Sequence, residues 1–138
     1  MEKIKLGIVG FGFMGHCDAD MMATFSDDEI QLVAVADINP DQLKDAPEGV
    51  ETYATLDEML EKADINVVMV STPNPSHPEM VEKAARAKKH VICEKPAAMS
   101  VAAFDEMVEV CRENGVMFTV HQQRRWDKDY RIMKEVYD

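Results

Sequence analysis

A glycine-rich segment near the N-terminus has the residue types and the spacing that bind nucleotide diphosphates. Gly10, Gly12 and Gly15 form the pattern G-x-G-x-x-G directly after a predicted strand and directly before a predicted helix. In this pattern the first glycine makes a tight turn, the second lets the backbone approach a diphosphate, and the third lets the helix pack closely on the sheet. The N–H groups and the positive dipole end of that helix then face the phosphates. The segment therefore predicts a dinucleotide site.

An acidic residue follows at the distance that such a site requires. Asp37 lies 22 residues after Gly15, at the end of the second predicted strand. A carboxylate in this place accepts hydrogen bonds from both ribose hydroxyls of an adenosine and repels a 2′-phosphate. No arginine follows it in Ile38-Asn39-Pro40, so NAD is favoured over NADP. Turn glycines with an ordinary strand-end acid, or a site for FAD or S-adenosylmethionine, remain alternatives.

A loop with two prolines closes the fourth predicted strand. Pro73 and Pro75 stiffen this loop, and Thr72 and Asn74 offer short polar groups to a ligand at the strand end. A strand-to-helix turn without any ligand explains the same residues, and His77 at its end could equally be a surface histidine.

Two more strand ends carry groups that could do chemistry. Glu94-Lys95-Pro96 closes the fifth predicted strand, where Lys95 could transfer a proton or polarise a substrate oxygen. An exposed loop lysine is the alternative, and Lys95–Pro96 is a candidate cis peptide bond. The segment 121–126, His-Gln-Gln-Arg-Arg-Trp, closes the sixth strand and indicates either a polar floor under a ligand or a hinge between domains.

These motifs must be positioned by an alternation of strands and helices. Apolar, β-branched runs predict strands over 3–9, 30–37, 50–53, 65–70, 90–93 and 116–121. Helices are predicted over 13–25, from Thr55 to 62, from Ser76 to 88, from Ser100 to 114 and over 128–137. Such alternation predicts an α/β fold with a doubly wound, mostly parallel, six-stranded sheet. Ligands of these sheets bind at the carboxyl ends of the strands, which is where the motifs lie.

Helix ends are marked by capping residues. Thr55-x-x-Glu58 and Ser76-x-x-Glu79 have the form of capping boxes, and Ser100 has the form of an N-cap. Asn114-Gly115 predicts a left-handed helix end. After Ser100, residues spaced by three or four predict a buried helix face formed by Val101, Phe104, Met107, Val108 and Cys111.

The composition excludes several classes of protein. The 138 residues are 46% hydrophobic and 30% charged, which excludes a disordered chain, and a net charge of −11 argues against a nucleic-acid partner. No apolar stretch approaches the length of a membrane span, and no signal peptide is expected. Cys17, Cys93 and Cys111 form no C-x-x-C pair, which favours a reduced, cytoplasmic location. Together with His16 and His90 they show no metal-ligand spacing, so no metal site is predicted.

Taken together, the strand-end motifs resemble the N-terminal half of the Gfo/Idh/MocA family of nicotinamide-dependent oxidoreductases. The resemblance is carried by the glycines of segment 10–15, Asp37, Thr72-Pro73-Asn74 with His77, Glu94-Lys95-Pro96 and the Arg-Arg-Trp-Asp run at 124–127. These positions follow the family's order from end to end of the chain, and Glu-Lys-Pro is the most specific of them. The resemblance implies a Rossmann fold that binds NAD.

The resemblance also implies a role for each matched residue. The cofactor-binding set would be Gly10, Gly12, Phe13, Met14 and Gly15 at the diphosphate, Asp37 at the adenosine ribose, and Ser71, Thr72, Asn74, His77, Glu94 and Gln122 toward the nicotinamide. Lys95 would touch the reacting hydroxyl of the substrate and is the expected catalytic residue. Gln122 and Arg125 would both lie near the nicotinamide and the domain junction.

Two departures from the family pattern stand out. Many members carry a histidine three residues after the last glycine, where this chain has Asp18, so no function is assigned to Asp18 or to the neighbouring His16. Family members also continue into a second α/β domain, which is absent here. We therefore expect a dinucleotide-binding domain over 1–123 and, over 124–138, a junction leading to a substrate domain.

The implied activity is transfer of a hydride between nicotinamide and a hydroxyl-bearing carbon of a sugar, cyclitol or related polyol. The small-molecule substrate, and any homo-oligomer contact, would be bound mainly by the second domain, so that this chain alone is expected to bind NAD without turnover. The alternatives are a free-standing module that senses NAD(H) through a partner protein, and a methyltransferase or flavin protein.

Overall fold

A computed structural model of the protein describes residues 3–25 and 28–138, and these ranges contain six strands and five α-helices. The strands are β1 (Ile4–Val9), β2 (Ile30–Ala36), β3 (Glu51–Tyr53), β4 (Val67–Val70), β5 (His90–Cys93) and β6 (Phe118–Val120). The helices are α1 (Phe13–Met22), α2 (Leu56–Lys62), α3 (His77–Arg86), α4 (Val101–Asn114) and α5 (Lys128–Tyr137). Of the predicted domain 1–123, residues 1–2 and 26–27 lie outside the described residues.

The six strands form one parallel sheet in the order β3-β2-β1-β4-β5-β6. The chain builds outward from β1 to β3 on one side and then returns to add β4, β5 and β6 on the other. β1 and β4 are therefore neighbours at the point where the strand order reverses, and a crevice opens there at the carboxyl ends. This topology confirms the predicted doubly wound Rossmann fold.

The sheet is covered on both faces because its central strands are apolar on both sides. Along β4, Val68 and Val70 join one buried cluster, which includes Met59, Val81 and Met107 of the helices α2, α3 and α4. The intervening Val67 and Met69 join a second cluster with Leu6, Ile8, Phe11 and Ala19 of α1. Alternate residues of a strand point to opposite faces, so these clusters are the two layers of the core.

Several predicted helix ends are confirmed. Thr55 and Ser100 are N-caps whose hydroxyl oxygens accept hydrogen bonds from the N–H groups of Glu58 and Ala103, each at 3.2 Å. Gly115 ends α4 with φ of +68°, in the left-handed region that favours glycine. These ends set the lengths of α2 and α4.

The predicted capping box at Ser76 is wrong. Ser76 has helical backbone angles inside the 3₁₀ turn Asn74–Ser76, so its side chain does not cap α3. Its Oγ instead lies 2.8 Å from the carbonyl oxygen of Pro73 and 2.8 Å from Oγ1 of Thr72. Ser76 therefore fastens the loop after β4.

Other element boundaries differ from the predictions by a few residues. The helix predicted over 13–25 ends at Met22, and the helix predicted as far as 88 ends at Arg86. The fourth strand starts at Val67, and Asn66 just before it accepts a hydrogen bond from the N–H of Lys5 in β1 through its side-chain oxygen at 2.8 Å. Val101, predicted on the buried face of α4, is 77% exposed, because it begins the helix beyond the edge strand β6. Across the described ranges, no helix is long and apolar enough to cross a membrane.

Candidate functional site

A cleft of about 640 Å³ opens at the carboxyl ends of β1, β2 and β4. Its walls come from the turn after β1, the segment after β2, the start of α2 and the loop after β4. Of the residues predicted from the sequence, the cleft brings together Gly10, Gly12, Met14, Asp37, Ser71 and Thr72. The cleft is thus at the reversal of strand order, where sheets of this class bind ligands.

The three fingerprint glycines meet the demands predicted for them. Gly10 has φ of +86°, and a Cβ on Gly15 would lie 2.3 Å from the carbonyl oxygen of Gly10, so neither position accepts a side chain. At Gly12, by contrast, no atom of the described residues lies within 4 Å of an added Cβ. The backbone of Gly12 therefore presents an open surface to the cleft.

Helix α1 begins at this open surface. Gly12 is its N-cap, and no described side chain caps the first turn. The first backbone N–H groups of the helix, from Phe13 and Met14 onward, therefore remain free to bind an anion. Phe13 itself is 83% exposed and does not line the cleft.

Asp37 is held by the fingerprint turn itself. Its Oδ2 accepts a hydrogen bond from the N–H of Phe11 at 2.8 Å, and its Oδ1 accepts one from the N–H of Asn39 at 2.7 Å. Each oxygen keeps a second lone pair for a ligand hydroxyl. Lys83, which also lines the cleft, is paired with Asp57 at 2.9 Å and with Glu79 at 3.0 Å. The carboxylate of Asp37 is thus a fixed hydrogen-bond acceptor at the edge of the cleft.

His77 supports the site from beneath and does not line it. The side chain is fully buried, with Nε2 2.7 Å from the carbonyl oxygen of Thr72 and Nδ1 3.2 Å from the carbonyl oxygens of Pro96 and Ala97. His77 therefore ties the loop after β4 to the loop after β5. The role implied by the resemblance, lining the cofactor site, stays a prediction for His77.

Glu94 and Lys95 differ in environment although they are adjacent. Lys95 is exposed, and its bond to Pro96 is cis, as the sequence suggested. Glu94 is buried, and its Oε2 accepts a hydrogen bond from the N–H of Lys95 at 3.2 Å. The ammonium group of Lys95 is thus free to meet a ligand, whereas the carboxylate of Glu94 is fixed.

Sequence analysis missed a cluster that includes this carboxylate. Nδ1 of His121 lies 2.6 Å from Oε1 of Glu94 and 3.8 Å from Oδ1 of Asp18, while Ser71 donates to Oδ2 of Asp18 at 3.1 Å. One ligand atom from each of Asp18, Glu94 and His121 lies within 4.8 Å of the other two. We call these three residues the acid–histidine cluster.

The acid–histidine cluster holds Asp18 in an unfavourable environment for a charge. The pKa of Asp18 is raised from 3.8 to about 6, mainly by burial and also by the nearby charge of Glu94, although the hydrogen bond from Ser71 and the charge of His121 act to lower it. The three residues come from α1 and from the ends of β5 and β6, so no sequence spacing reveals them. The available signal was that Glu94 and His121 each directly follow a strand of a parallel sheet.

Eight predicted residues do not line the cleft: Phe13, Gly15, Asn74, His77, Glu94, Lys95, Gln122 and Arg125. Asn74 starts the 3₁₀ turn after Pro73, and Arg125 is exposed in the 3₁₀ turn Gln123–Trp126. Gln122 is exposed and lines a separate groove of about 470 Å³, together with Val101, Phe104 and Val120. The cleft therefore contains Gly10, Gly12, Met14 and Asp37 from the predicted diphosphate and ribose contacts, together with Ser71 and Thr72 from the predicted nicotinamide side. Glu94, Lys95 and Gln122 lie farther along the sheet, after β5 and β6.

The family model for an oxidoreductase family with an NAD-binding Rossmann fold, Gfo/Idh/MocA, matches residues 4–122. The protein belongs to the Gfo/Idh/MocA family. Membership decides against the methyltransferase and flavin alternatives and confirms the resemblance seen in the motifs.

Gfo/Idh/MocA relatives are similar over nearly the whole chain. The myo-inositol 2-dehydrogenase of Thermotoga maritima is 33% identical over 138 residues, covering 98% of this chain and 41% of that protein. The WlbA dehydrogenase of Bordetella pertussis, solved with NADH and UDP-GlcNAcA, superposes with a TM-score of 0.91 at 29% identity, covering 99% of this chain and 41% of that one. The scyllo-inositol dehydrogenase of Lactobacillus casei, solved with NAD(H) and scyllo-inositol, superposes with a TM-score of 0.88 at 33% identity. The match covers 99% of this chain and 41% of that one. This chain thus spans 41% of the length of each of these three proteins.

Proposed function

We propose that this chain is the NAD-binding part of an oxidoreductase that transfers a hydride between nicotinamide and a hydroxyl-bearing carbon of a sugar, cyclitol or related polyol. The observation that carries the proposal is the open backbone of Gly12 beside the fixed carboxylate of Asp37 in one cleft. A diphosphate needs an open backbone to approach, and an adenosine ribose needs a carboxylate to accept its hydroxyl groups. The residues present therefore fit the dinucleotide.

The adenosine half of the cofactor would occupy the cleft. Its diphosphate would be held by the turn of Gly10, Gly12 and Gly15 and by the N–H groups of Phe13 and Met14. The two ribose hydroxyls would donate to the free lone pairs of Asp37. A 2′-phosphate in place of one hydroxyl would bring negative charge against this carboxylate, which favours NAD over NADP.

The nicotinamide half would extend toward the ends of β4, β5 and β6. Ser71, Thr72 and Asn74 would border it on one side, and Glu94 and Gln122 on the other. His77 would contribute by joining the two loops. When bound, the cofactor supplies the hydride acceptor or donor; the residues of this chain hold and orient it.

Lys95 is the residue we assign to the proton of the reacting hydroxyl. Its side chain is exposed at the end of β5, while the carboxylate beside it is held by other hydrogen bonds. An ammonium group in that place can donate a hydrogen bond to the substrate oxygen, and the neutral amine can accept the proton.

The substrate class follows from the chemistry named for the relatives. One relative is a myo-inositol dehydrogenase, and two similar structures hold UDP-GlcNAcA and scyllo-inositol. All three compounds are rings with several hydroxyl groups. We assign most substrate contacts, and any contact between subunits, to polypeptide outside this chain, since the chain spans 41% of such proteins. The free thiols of Cys17, Cys93 and Cys111 support a cytoplasmic location.

Replacing Asp37 tests the proposed function. We expect Asp37→Ala to weaken NAD binding about ten- to a hundredfold, because two hydrogen bonds to a charged acceptor are lost. NADP binding should change little or improve, since the repulsive charge is removed. Isothermal titration of this chain with NAD and with NADP measures both affinities.

Asp41→Ala is the matched control for this experiment. Asp41 is an exposed carboxylate four residues later that pairs with Lys44, and it does not line the cleft. Its replacement should leave both affinities unchanged. An unchanged affinity of Asp37→Ala for both cofactors would contradict the assignment of the ribose to Asp37.

A further inference from the structure

The acid–histidine cluster is a buried group of titratable side chains, and two of its members, Asp18 and His121, are not among the proposed cofactor contacts. The side chains of Asp18, Glu94 and His121 are 3%, 6% and 17% exposed. Among the described residues, His121 bonds to Glu94, Ser71 donates to Asp18 and the N–H of Lys95 donates to Glu94, and none of these bonds comes from an ammonium or guanidinium group. Two carboxylates thus share one imidazole in a region of low dielectric constant.

The sheet order places this cluster on the nicotinamide side of the dinucleotide, if the proposed function holds. Asp37 follows β2, Gly12 follows β1, and these two mark the adenosine and the diphosphate. Continuing in the same direction across the sheet leads to the ends of β4, β5 and β6, from which Ser71, Glu94 and His121 come. Ser71 connects the two regions, because it lines the cleft and its hydroxyl donates to Asp18.

We propose that the acid–histidine cluster sets the preference of the protein for oxidised over reduced cofactor and makes this preference depend on pH. The nicotinamide ring is positively charged in NAD⁺ and uncharged in NADH. A buried negative charge near the ring therefore stabilises bound NAD⁺ more than bound NADH. Adding a proton to the cluster lowers its negative charge by one and therefore reduces that difference.

Asp18 is the group of the cluster that we expect to take up this proton. Burial is the main cause of its raised pKa of about 6, and the charged groups that act on it are Glu94 and His121. The other titratable groups on the elements around the cluster include Cys93, Lys95, His16 and His77. Cys93, whose pKa is raised to about 12 by burial, stays a thiol, and Lys95 is exposed. On α1 and α3, His16 and His77 bond to backbone carbonyl oxygens.

The test is the ratio of the dissociation constants of this chain for NADH and NAD⁺, measured by titration in EDTA at about pH 5.5 and about pH 8. These values lie on either side of the pKa of Asp18. We expect the ratio Kd(NADH)/Kd(NAD⁺) to rise about two- to tenfold with pH, the size of one additional charge acting across partly screened protein. A ratio that is equal at both pH values would overturn the inference.

Asp18→Asn separates the cluster from other causes of pH dependence. The amide has nearly the same shape but does not titrate, so the ratio Kd(NADH)/Kd(NAD⁺) of this variant should stay at the low-pH value at both pH values. Asp20→Asn is the matched control, because Asp20 lies exposed on the same helix, and its ratio should follow the unsubstituted protein. A full pH response in Asp18→Asn would also overturn the inference.

His121→Asn provides a second variant that does not depend on the folding of Asp18→Asn. Since His121 lowers the pKa of Asp18, its loss should move the midpoint of the pH response upward, and an unmoved midpoint would count against the cluster. Failure of the proposed function itself looks different, because the unsubstituted protein would then bind neither form of the cofactor at any pH.

Discussion

At the scale of residues, two aspartates in the same region have opposite environments. Asp37 lies at the edge of the cleft, where two backbone N–H groups stabilise its charge. Asp18 lies in the interior, where one hydroxyl donates to it and a second carboxylate is close. A carboxylate of the first kind serves as a permanent acceptor for a neutral ligand, whereas one of the second kind changes charge near neutral pH. The same residue type therefore has two different uses in this site.

The raised pKa of Asp18 predicts how stability depends on pH. A carboxyl group whose pKa is raised on folding binds more protons in the folded state, so stability is lost as pH rises from about 4 to about 6. The shift from 3.8 to about 6 corresponds to about 3 kcal/mol. Asp18→Asn should therefore be more stable than the unsubstituted protein above this range and should lose the advantage below it.

Urea unfolding of both proteins at about pH 4 and about pH 7.5 measures this difference. Comparing the two proteins cancels the contribution of the other acidic groups. Equal differences in the free energy of unfolding at both pH values would show that Asp18 does not titrate in the way the structure indicates.

Lys95 carries the chemical prediction at this scale. In the intact enzyme, Lys95→Met should lower kcat about 10²- to 10⁴-fold, the usual contribution of a general acid or base. Affinity for NAD should change little, because Lys95 is assigned to the substrate. Steady-state kinetics and a cofactor titration measure the two effects, with Lys62→Met, an exposed lysine at the end of α2, as control. A large loss of NAD affinity with normal kcat would make Lys95 a cofactor-binding residue instead.

Residues tied to one local motif could be predicted from the sequence, and residues tied to the tertiary fold could not. Gly12 and Asp37 were found because a turn and a strand end fix their roles over short distances. Asp18 and His121 were missed because they meet only after the sheet has formed, and the contacts of His77 with two loops depend on the same packing. The sequence alone thus located the cleft but not its buried support.

At the scale of elements, the turn between β1 and α1 contains one glycine that matters for stability and another that matters for ligand binding. Gly15 packs against the backbone of Gly10, so the space that a Cβ of residue 15 would need is already occupied by protein. Gly12 faces open space among the described residues, so its missing side chain matters only when a ligand is present. The two glycines belong to one motif, but Gly15 is needed for packing and Gly12 is needed for access of a ligand.

Two alanine substitutions in this turn test that difference. Gly15→Ala should destabilise the domain by about 2 kcal/mol or more, because the added Cβ would lie 2.3 Å from a carbonyl oxygen. Gly12→Ala should cost less than about 1 kcal/mol of stability. It should nevertheless weaken NADH binding about tenfold or more, since the methyl group blocks the approach of the diphosphate.

Chemical denaturation and NADH titration of both variants give the required numbers. If Gly12→Ala bound NADH normally, the diphosphate would not lie over this turn. If Gly15→Ala were as stable as the unsubstituted protein, the packing of α1 on the turn would be looser than the structure shows.

Helix ends show what local sequence determines at this scale. Thr55 and Ser100 have extended backbones before their helices, so their hydroxyl oxygens reach the N–H three residues later. Ser76 has the same spacing to a glutamate, but Asn74 and Pro75 begin a 3₁₀ turn that already includes it. The pattern of residue types is therefore insufficient where the preceding loop fixes the backbone.

At the scale of the whole molecule, the last segment contributes little to the fold. None of the described residues of α5 is buried, and Ile132, Met133, Val136 and Tyr137 are exposed on it. The chain also spans 41% of the proteins it resembles. These observations support the predicted division between a binding domain over 1–123 and a junction over 124–138, which we keep as a proposal.

Removing residues 124–138 tests this division. Since the segment buries no side chain, its removal should change the free energy of unfolding by less than about 1 kcal/mol and leave NADH affinity within about twofold. Thermal or urea denaturation and a cofactor titration of the shortened chain provide the comparison. A loss of more than about 2 kcal/mol would show that the segment belongs to the domain.

The most direct test of the account is a crystal structure of this chain with NADH bound. We predict that the diphosphate will lie over Gly12 and that both adenosine ribose hydroxyls will donate to the carboxylate of Asp37. The nicotinamide should lie over the ends of β4 and β5, near Lys95. An empty cleft, or a dinucleotide bound elsewhere on the protein, would contradict it.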